Sequence, residues 1–262
     1  MSIIFKAKTN DSHVIKVLIE LLQNNIKIGC FVIDEEGITF RMMNMDKCIL
    51  FDVQLNAENF NVYKYKKKEK LFIGLNLSHF FKMIRSIKKK DSIQLTIYEN
   101  KKNDLHIKVI PKENNRITTS VIKIQPTQNI HISLPGGYKQ SVIMPGNDYQ
   151  KMCKSMSNIS DVIKIISKEN YICYRCDTGE LMTKEVEFGS FDDSDSSDSD
   201  EKENKTIIQK FDMLRLLNTS KLSGLSNKIH VCVKEKSPLL YKLRVGTLGK
   251  MSIFIKEKEY ID

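Results

Sequence analysis

Residues 78–97 read SHFFKMIRSIKKKDSIQLTI and contain the clearest structural signal in the chain. Phe80, Phe81, Ile84 and Ile87 recur three or four residues apart, which is the spacing of one face of a helix. The polar run KKKD predicts a turn, and the alternating residues of DSIQLTI predict a strand. The stretch is therefore a helix–turn–strand unit, with a helix at 78–87 whose apolar face needs a sheet to cover it.

The same unit recurs three times elsewhere in the chain. Helices are predicted at 12–23, 148–156 and 212–221, and the strands IGCFVI, DVIKII and NKIHVCV follow them. In the last helix, Leu214 and Leu217 form the apolar stripe. One side chain at the start of each helix is predicted to cap it: Ser12, Ser78, Asn147 and Asp212. Two units in each half of the chain predict two similar domains.

Short β-branched or aromatic segments between turn residues predict further strands. They are Thr39–Met42, Ile49–Leu55, Leu71–Leu75, Leu105–Ile110, Leu239–Val245 and Met251–Ile255. The run at 122–138 holds two prolines and a Gly-Gly pair, which is typical of a connector. We therefore predict an α+β fold with domains at 1–120 and 138–262, joined by a connector at 121–137.

Charge is unevenly distributed along the chain. The formal net charge is +10, from 42 Lys and Arg against 32 Asp and Glu. The segment 189–205 carries seven acids and two bases, so the rest of the chain carries +15. This acidic segment is predicted to be a disordered loop. A basic body favours a polyanionic partner, although an AT-rich genome that favours lysine codons would explain much of the lysine equally well.

The polar faces of the predicted helices hold cations. Lys82 and Arg85 are three residues apart, as are Lys151 and Lys154, and no acid follows the cap on the last three helices. The remaining cations are Lys16, Arg215 and Lys221. A merely solvated face would mix both signs of charge. The bias shared by three helices therefore favours a surface that faces a polyanion.

Other functional classes find little support in the sequence. There is no phosphate-binding glycine loop, and the five histidines have no catalytic or metal-ligand spacing. Cys173 and Cys176 form half of a zinc motif without a second pair, and alternate on opposite faces of a strand. No run reaches the roughly 18 apolar residues of a membrane span. We predict a soluble intracellular protein, not an enzyme, with reduced cysteines, no metal, no cofactor and no membrane partner.

Several stretches resemble one family in order and spacing. They are SHVIKVLIELL, the Met45-Asp46 pair before Val53-Gln54-Leu55, IGLNLSHFFKMIRSIKKKDSIQL, MPGNDYQKMCKSMSNISDVIKI, LRLLNTSKLSGLSNKIHVCV and SPLLYKL. The collinear series resembles the proliferating cell nuclear antigen family, the eukaryotic and viral DNA sliding clamps. Asp52 departs from the resemblance because the family has an apolar residue there, and Glu257 stands where a proline is usual. These changes are typical of a divergent member, of either host or viral origin.

The resemblance implies two clamp domains per subunit, each with two helices on a curved antiparallel sheet, and a closed ring of three subunits around duplex DNA. It implies DNA contacts, independent of base sequence, at Lys16, Lys82, Arg85, Lys151, Lys154, Arg215 and Lys221. It implies subunit contacts between edge strands, at Ile117, Thr119 and Val121 on one side and Lys184 and Val186 on the other.

The resemblance also implies a pocket under the connector. Its clients would be DNA polymerase, the clamp loader and other proteins with a glutamine–aliphatic–diaromatic motif. The matching residues are Met45, Ile49, Leu50, Ile130, Ile132, Leu134, Pro135, Pro238 and Phe254. An ordinary core role is an equal alternative for Leu50. The family implies a nuclear protein, or one of a cytoplasmic viral replication site. The alternative function is that of a sequence-nonspecific single-stranded DNA-binding protein, which usually needs more aromatic residues than the 8% found here.

Overall fold

The chain forms two compact units in a computed structural model. The structure describes residues 2–113, 116–127, 131–138, 141–168, 171–179, 181–189 and 206–258. The first unit is Met1–Ser133 with Arg244–Ser252, and the second is Leu134–Leu243 with Ile253–Asp262. The change of unit at 133–134 falls inside the predicted connector. Apart from Gly189, the predicted acidic loop at 189–205 lies outside the described residues.

The described residues of the first 133 positions form nine strands and two α-helices. The strands are β1 (Ile3–Thr9), β2 (Ile28–Ile33), β3 (Gly37–Met43), β4 (Ile49–Asn56), β5 (Val62–Tyr65), β6 (Leu71–Asn76), β7 (Ser92–Tyr98), β8 (Lys101–Ile110) and β9 (Thr118–Lys123), and the helices are α1 (Ser12–Gln23) and α2 (Leu77–Ile84). One sheet has the order β5-β1-β7-β8-β9, and β4-β3-β2-β6 are neighbours in another. All of these ladders are antiparallel.

The alternation of buried and half-buried residues along its strands explains how this unit forms its core. Along β8, buried Leu105, Ile107 and Val109 alternate with half-buried neighbours, so one face of the strand is apolar. Helix α1 buries Leu18 and Leu22, and the two helices pack against each other. The apolar stripe of each helix thus shares one core with the sheets, as the repeated unit predicts.

The second part of the chain repeats the pattern. Its strands are β10 (Val142–Pro145), β11 (Val162–Lys168), β12 (Tyr171–Asp177), β13 (Thr183–Gly189), β14 (Ile207–Asp212), β15 (Lys228–Cys232), β16 (Leu239–Val245) and β17 (Gly249–Ile255), and its helices are α3 (Gly146–Met156) and α4 (Met213–Asn218). One sheet has the order β13-β12-β11-β14, and β10 pairs with β15. Helix α3 packs on α4 and on the 3-10 turn Ser220–Gly224 that follows it.

The helix starts differ from the predicted caps in three of four cases. Asp212 caps α4 as predicted, accepting a hydrogen bond from Leu214 N at 2.9 Å. The cap of α2 is Asn76, which accepts from His79 N at 3.0 Å, so the prediction of Ser78 was wrong. The predictions of Ser12 and Asn147 were also wrong, because both residues lie inside their helices. The Ser12 hydroxyl instead donates to the Asp91 carbonyl at 2.8 Å.

Helix α4 is shorter than predicted and has a different apolar face. It buries Met213 and Leu216, while Leu214, predicted to be in the stripe, is 60% exposed. The helix ends at Asn218, and the hydroxyl of Thr219, the next residue, donates to the Leu216 carbonyl at 2.8 Å. Lys221, predicted on this helix, therefore lies on the 3-10 turn.

Candidate functional site

Helix α2 presents two cations to solvent. Lys82 and Arg85 are exposed, while Phe80 and Ile84 on the opposite face are 3% and 0% exposed. Neither cation lies within ion-pair distance of a carboxylate in the described part of the chain. Both charges are therefore available to a polyanion.

Helix α3 repeats this arrangement with one difference. Lys151 and Lys154 are exposed, and Tyr149, Met152, Cys153 and Met156 are buried on the other face. Because the helix begins at Gly146, Asp148 lies in its first turn, 3.8 Å from the Lys151 ammonium. The prediction that no acid follows the cap was wrong for this helix. A solvent-exposed pair of this kind is worth only about 0.2–1 kcal/mol, so the lysine can exchange its partner.

The other three predicted cations are half-buried, and two of them hold neighbouring segments. The Lys16 ammonium donates to the Ile87 carbonyl at 3.1 Å and so ties α1 to the segment after α2. The Arg215 guanidinium donates to the Lys256 carbonyl at 3.2 Å and lies 4.0 Å from the Asp212 carboxylate. Lys221 is also half-buried. The structure thus separates four exposed cations from three that are partly enclosed.

Strands β9 and β13 each lie at the edge of their sheet. In the described residues neither strand pairs on its outer side. On and beside β9, Ile117 is 57% exposed, Val121 is 42% exposed, and Thr119 is exposed. On β13, Lys184 and Val186 are half-buried. Each edge offers unpaired backbone groups that another strand would satisfy.

A groove of about 640 Å³ lies on the first unit and includes connector residues. Met42, Met43 and Phe72 supply apolar surface, Met45 is 84% exposed, and Ile132 lies at the connector side. Of the predicted pocket residues, Ile49 and Leu50 are only 1% and 5% exposed, so their side chains belong to the core of this unit. Ile130 lies outside the described residues.

An ion pair in this groove accounts for the acid at position 52. Arg41 Nε lies 2.7 Å from Asp52 Oδ1, and the two residues face each other across β3 and β4. Arg41 also donates to the connector carbonyl of Ile132 at 3.3 Å. Sequence reasoning noted Asp52 but missed Arg41, whose only signal was its place opposite Asp52 in the predicted hairpin.

The connector is attached to the first unit at a glycine. Gly74 and Gln125 exchange backbone hydrogen bonds of 3.3 and 2.8 Å at the edge of β6. A Cβ atom at Gly74 would lie 2.7 Å from the Gln125 carbonyl oxygen, which real side chains essentially never do. The absence of a side chain is what allows this approach.

In the second unit, Tyr138 joins two of the predicted pocket residues. Its hydroxyl donates to the Pro238 carbonyl at 2.6 Å, and its ring lies 6.3 Å from the ring of Phe254. Burial raises the pKa of Tyr138 to about 12, so the hydroxyl remains a donor in alkaline solution as well as at neutral pH. Leu134 is 37% exposed and Pro135 is half-buried. Tyr138 was missed because only its place at the end of the connector marked it.

Two observations bear on metals and membranes. Among the described residues, Cys173, Glu185 and Glu187 bring three ligand atoms within 4.8 Å of one another. Their carboxylates already have partners, since Glu185 pairs with Arg175 at 3.0 Å and Glu187 accepts from the Tyr171 hydroxyl at 2.5 Å.

Within the described part of the chain, no helix has the length and apolar character needed to cross a bilayer.

Comparison with known proteins gives consistent matches over both halves. The family model of the proliferating cell nuclear antigen N-terminal domain matches residues 4–130, and that of the C-terminal domain matches residues 135–258. The "Probable DNA polymerase sliding clamp 1" of Paramecium bursaria Chlorella virus 1 is 26% identical over 259 residues, 97% of each chain. The "Proliferating cell nuclear antigen" of Chaetomium thermophilum is 21% identical over 256 residues, again 97% of each. The "DNA polymerase sliding clamp" of Thermococcus fumicolans is 26% identical over 239 residues, 91% of this chain and 92% of its own.

Proposed function

Because the chain belongs to the proliferating cell nuclear antigen family, we propose that it is a DNA sliding clamp, three copies of which close into a ring around duplex DNA. The observation that carries this proposal is the pair of exposed cations on α2 and again on α3, each opposite a buried apolar face. Cations on a helix face neutralise phosphates without reading bases.

The proposed role is non-catalytic. A ring holds a polymerase on DNA by topology, so weak and diffuse phosphate contacts are sufficient and leave the ring free to slide. Lys82, Arg85, Lys151 and Lys154 are the primary contacts in this proposal, and the partly enclosed Lys16, Arg215 and Lys221 are secondary contacts. The ring would work in the nucleus or at a cytoplasmic viral replication site.

The open edge strands support ring closure. We propose that β9 of one copy pairs with β13 of the next, bringing Ile117, Thr119 and Val121 against Lys184 and Val186. A head-to-tail interface either closes into a ring or continues as a filament. Pairing the two edges would remove the unpaired backbone groups that otherwise favour aggregation.

Polymerase, clamp loader and other clients are proposed to dock at the connector. The exposed Met45 and the connector residues Ile132 and Leu134 support this proposal, because apolar side chains on a polar connector favour a docking role. Pro135, Pro238 and Phe254 are proposed to contribute from the second unit.

The DNA-binding role is tested with Lys82→Glu, Arg85→Glu, Lys151→Glu and Lys154→Glu combined. We expect normal sizing as a trimer of about 90 kDa, three times 30.3 kDa, with loss of retention on circular duplex and of polymerase processivity. The matched control reverses the exposed Lys64, Lys66, Lys67 and Lys68, which should change neither. Unchanged processivity in the first variant would contradict the proposal.

The docking role is tested with Ile132→Ala and Leu134→Ala combined. Calorimetry with a glutamine–aliphatic–diaromatic peptide should show weaker binding while sizing still gives the trimer. Equal peptide affinity would rule out the connector groove. Tight stoichiometric binding of a single-stranded oligonucleotide by a monomer would instead favour the single-strand binder.

A further inference from the structure

A second cluster of cations begins just after the C-terminal end of α2. Lys88, Lys89 and Lys90 follow α2, and Lys112 and Arg116 lie between β8 and β9. Together they line a cleft of about 740 Å³ on the first unit, here called the basic cleft. All five cations are exposed, and none pairs with a carboxylate among the described residues.

The acids in the basic cleft do not neutralise these cations. Asp91 is buried, 8% exposed, and its carboxylate accepts the backbone N–H of Lys88 at 2.9 Å. Glu113 is the other acid of the lining. Five cations against two acids leave an excess of three positive charges, so the cleft suits an anionic occupant.

The proposed ring brings an anionic segment to this place. The basic cleft lies at the start of β9, since Arg116 precedes Thr118 by two residues. Every ladder in the sheets that contain β9 and β13 is antiparallel. If the same pairing continues between copies, the end of β13 at Gly189 lies beside the start of β9 of the next copy.

The sequence that follows Gly189 is strongly acidic. Residues 192–203, here called the acidic tract, read DDSDSSDSDEKE and carry seven acids and one lysine. Asp192 comes three residues after Gly189. Because each residue spans at most about 3.6 Å, this acid cannot lie farther than about 11 Å from the end of β13. The tract is also covalently attached to the end of β13, which gives it a high effective concentration at the basic cleft of the next copy.

We propose that the acidic tract of each copy binds the basic cleft of the next copy and acts as an electrostatic clasp on the subunit interface. This inference rests on the proposed ring. Duplex DNA is the other polyanion that could occupy the cleft. The acidic tract is favoured because the edge pairing delivers it to the cleft in every assembled interface.

Ring dissociation measured by sedimentation at several salt concentrations tests the clasp. One full-length variant carries Lys88→Glu, Lys89→Glu and Lys90→Glu, and a second carries Asn in place of Asp192, Asp193, Asp195, Asp198 and Asp200. Both should raise the concentration for half-dissociation about tenfold or more at low salt, and the difference should shrink at high salt. The matched control with Lys66→Glu, Lys67→Glu and Lys68→Glu should dissociate like the parent chain. A further variant combines the three cleft substitutions with Asp192→Lys, Asp193→Lys and Asp195→Lys. Because the charges of both partners are then exchanged, this variant should form the ring again.

Four results would contradict the proposed clasp. Unchanged dissociation in both variants would contradict the clasp but not the ring. A parent chain that is monomeric at all concentrations would contradict the ring as well. A reversed cleft that assembles normally but is lost from duplex DNA would assign the cleft to nucleic acid. Carbodiimide crosslinks between the tract and Lys88–Lys90, made in rings of mixed isotope-labelled copies, should join different copies; links confined to one copy would also contradict the proposal.

Discussion

Among single residues, Arg41 and Asp52 connect the floor of the groove to the connector, because Arg41 contacts both Asp52 and the Ile132 carbonyl. Asp52 is only 8% exposed, whereas the Arg41 side chain is 36% exposed, so the acid relies on the arginine far more than the reverse. A buried charge that loses its partner is costly, while replacing both partners by apolar residues is often neutral. The pair therefore fixes the connector at Ile132 more than it stabilises the unit.

The first prediction concerns the two halves of this pair. Arg41→Met leaves the buried Asp52 carboxylate without its ion-pair partner and should lower the free energy of unfolding by about 2–4 kcal/mol. The double variant Arg41→Met with Asp52→Leu should return to within about 1 kcal/mol of the parent chain. Urea denaturation at one protein concentration measures both. Glu185→Gln, in a pair that is 39% and 41% exposed, is the control and should cost less than about 1 kcal/mol. A double variant as unstable as Arg41→Met alone would contradict this account.

The second prediction concerns the cysteines. Cys153, Cys173, Cys176 and Cys232 are buried, whereas Cys30 and Cys48 are half-buried. Burial raises the pKa of the Cys153 thiol to about 12 and also raises the pKa values of Cys173, Cys176 and Cys232. Because the thiolate is the reactive form, a maleimide at pH 8 should label Cys30 and Cys48 first. Mass spectrometry of the labelled peptides gives the order of labelling. As a control, the urea-unfolded chain should label at all six cysteines. Labelling of Cys153 in the native protein as fast as that of Cys48 would contradict the prediction.

At the scale of elements, the start of α2 gives the third prediction. Asn76→Ala removes the acceptor for His79 N and should cost about 1 kcal/mol of stability. Ser78→Ala is the matched control, because Ser78 lies inside the helix, and should change stability by less than about 0.5 kcal/mol. Thermal or urea unfolding compares the two. A larger loss from Ser78→Ala would mean that the helix begins where the sequence suggested.

The sequence predicts these elements well and their ends less well. All four helices were found because an apolar stripe is a local pattern, and α1 was predicted with its observed bounds. Helix α4 shows the limit: MLRLL offers Met213 with Leu216 or Leu214 with Leu217 as the buried face, and only the surrounding sheet selects the first pair. Arg41 could not be assigned to Asp52 because a shift of one residue in the register of β3 and β4 would give Asp52 a different partner, and the sequence pattern did not fix that register. The same limit applies to the exposed and enclosed cations, which look alike in the sequence.

At the scale of the whole molecule, both halves have edge strands that lack a partner among the described residues, and β9 and β13 are two of them. A contact between β9 of one copy and β13 of the next joins two different strands, and repeated head-to-tail contacts of this kind close into a ring or continue as a filament. Head-to-tail association uses one edge of each kind per interface. The clamp family membership, the open β9 edge and the open β13 edge thus lead to the same proposed assembly.

The fourth prediction tests that assembly at the edges. Val121→Glu and Val186→Glu place charges on β9 and β13, and inward charges at strand edges oppose edge-to-edge pairing. Since both positions lie at the edge of a sheet rather than in its centre, each variant should keep its circular dichroism spectrum while sedimentation shifts from trimer to monomer. The control is Ile208→Glu, because Ile208 is 57% exposed on β14 at the opposite edge of the sheet that holds β13. This control should stay trimeric. If Ile208→Glu dissociates the ring and Val186→Glu does not, the subunit contact lies at β14 rather than at β13. That result would also contradict the proposed position of the acidic tract beside β9 of the next copy.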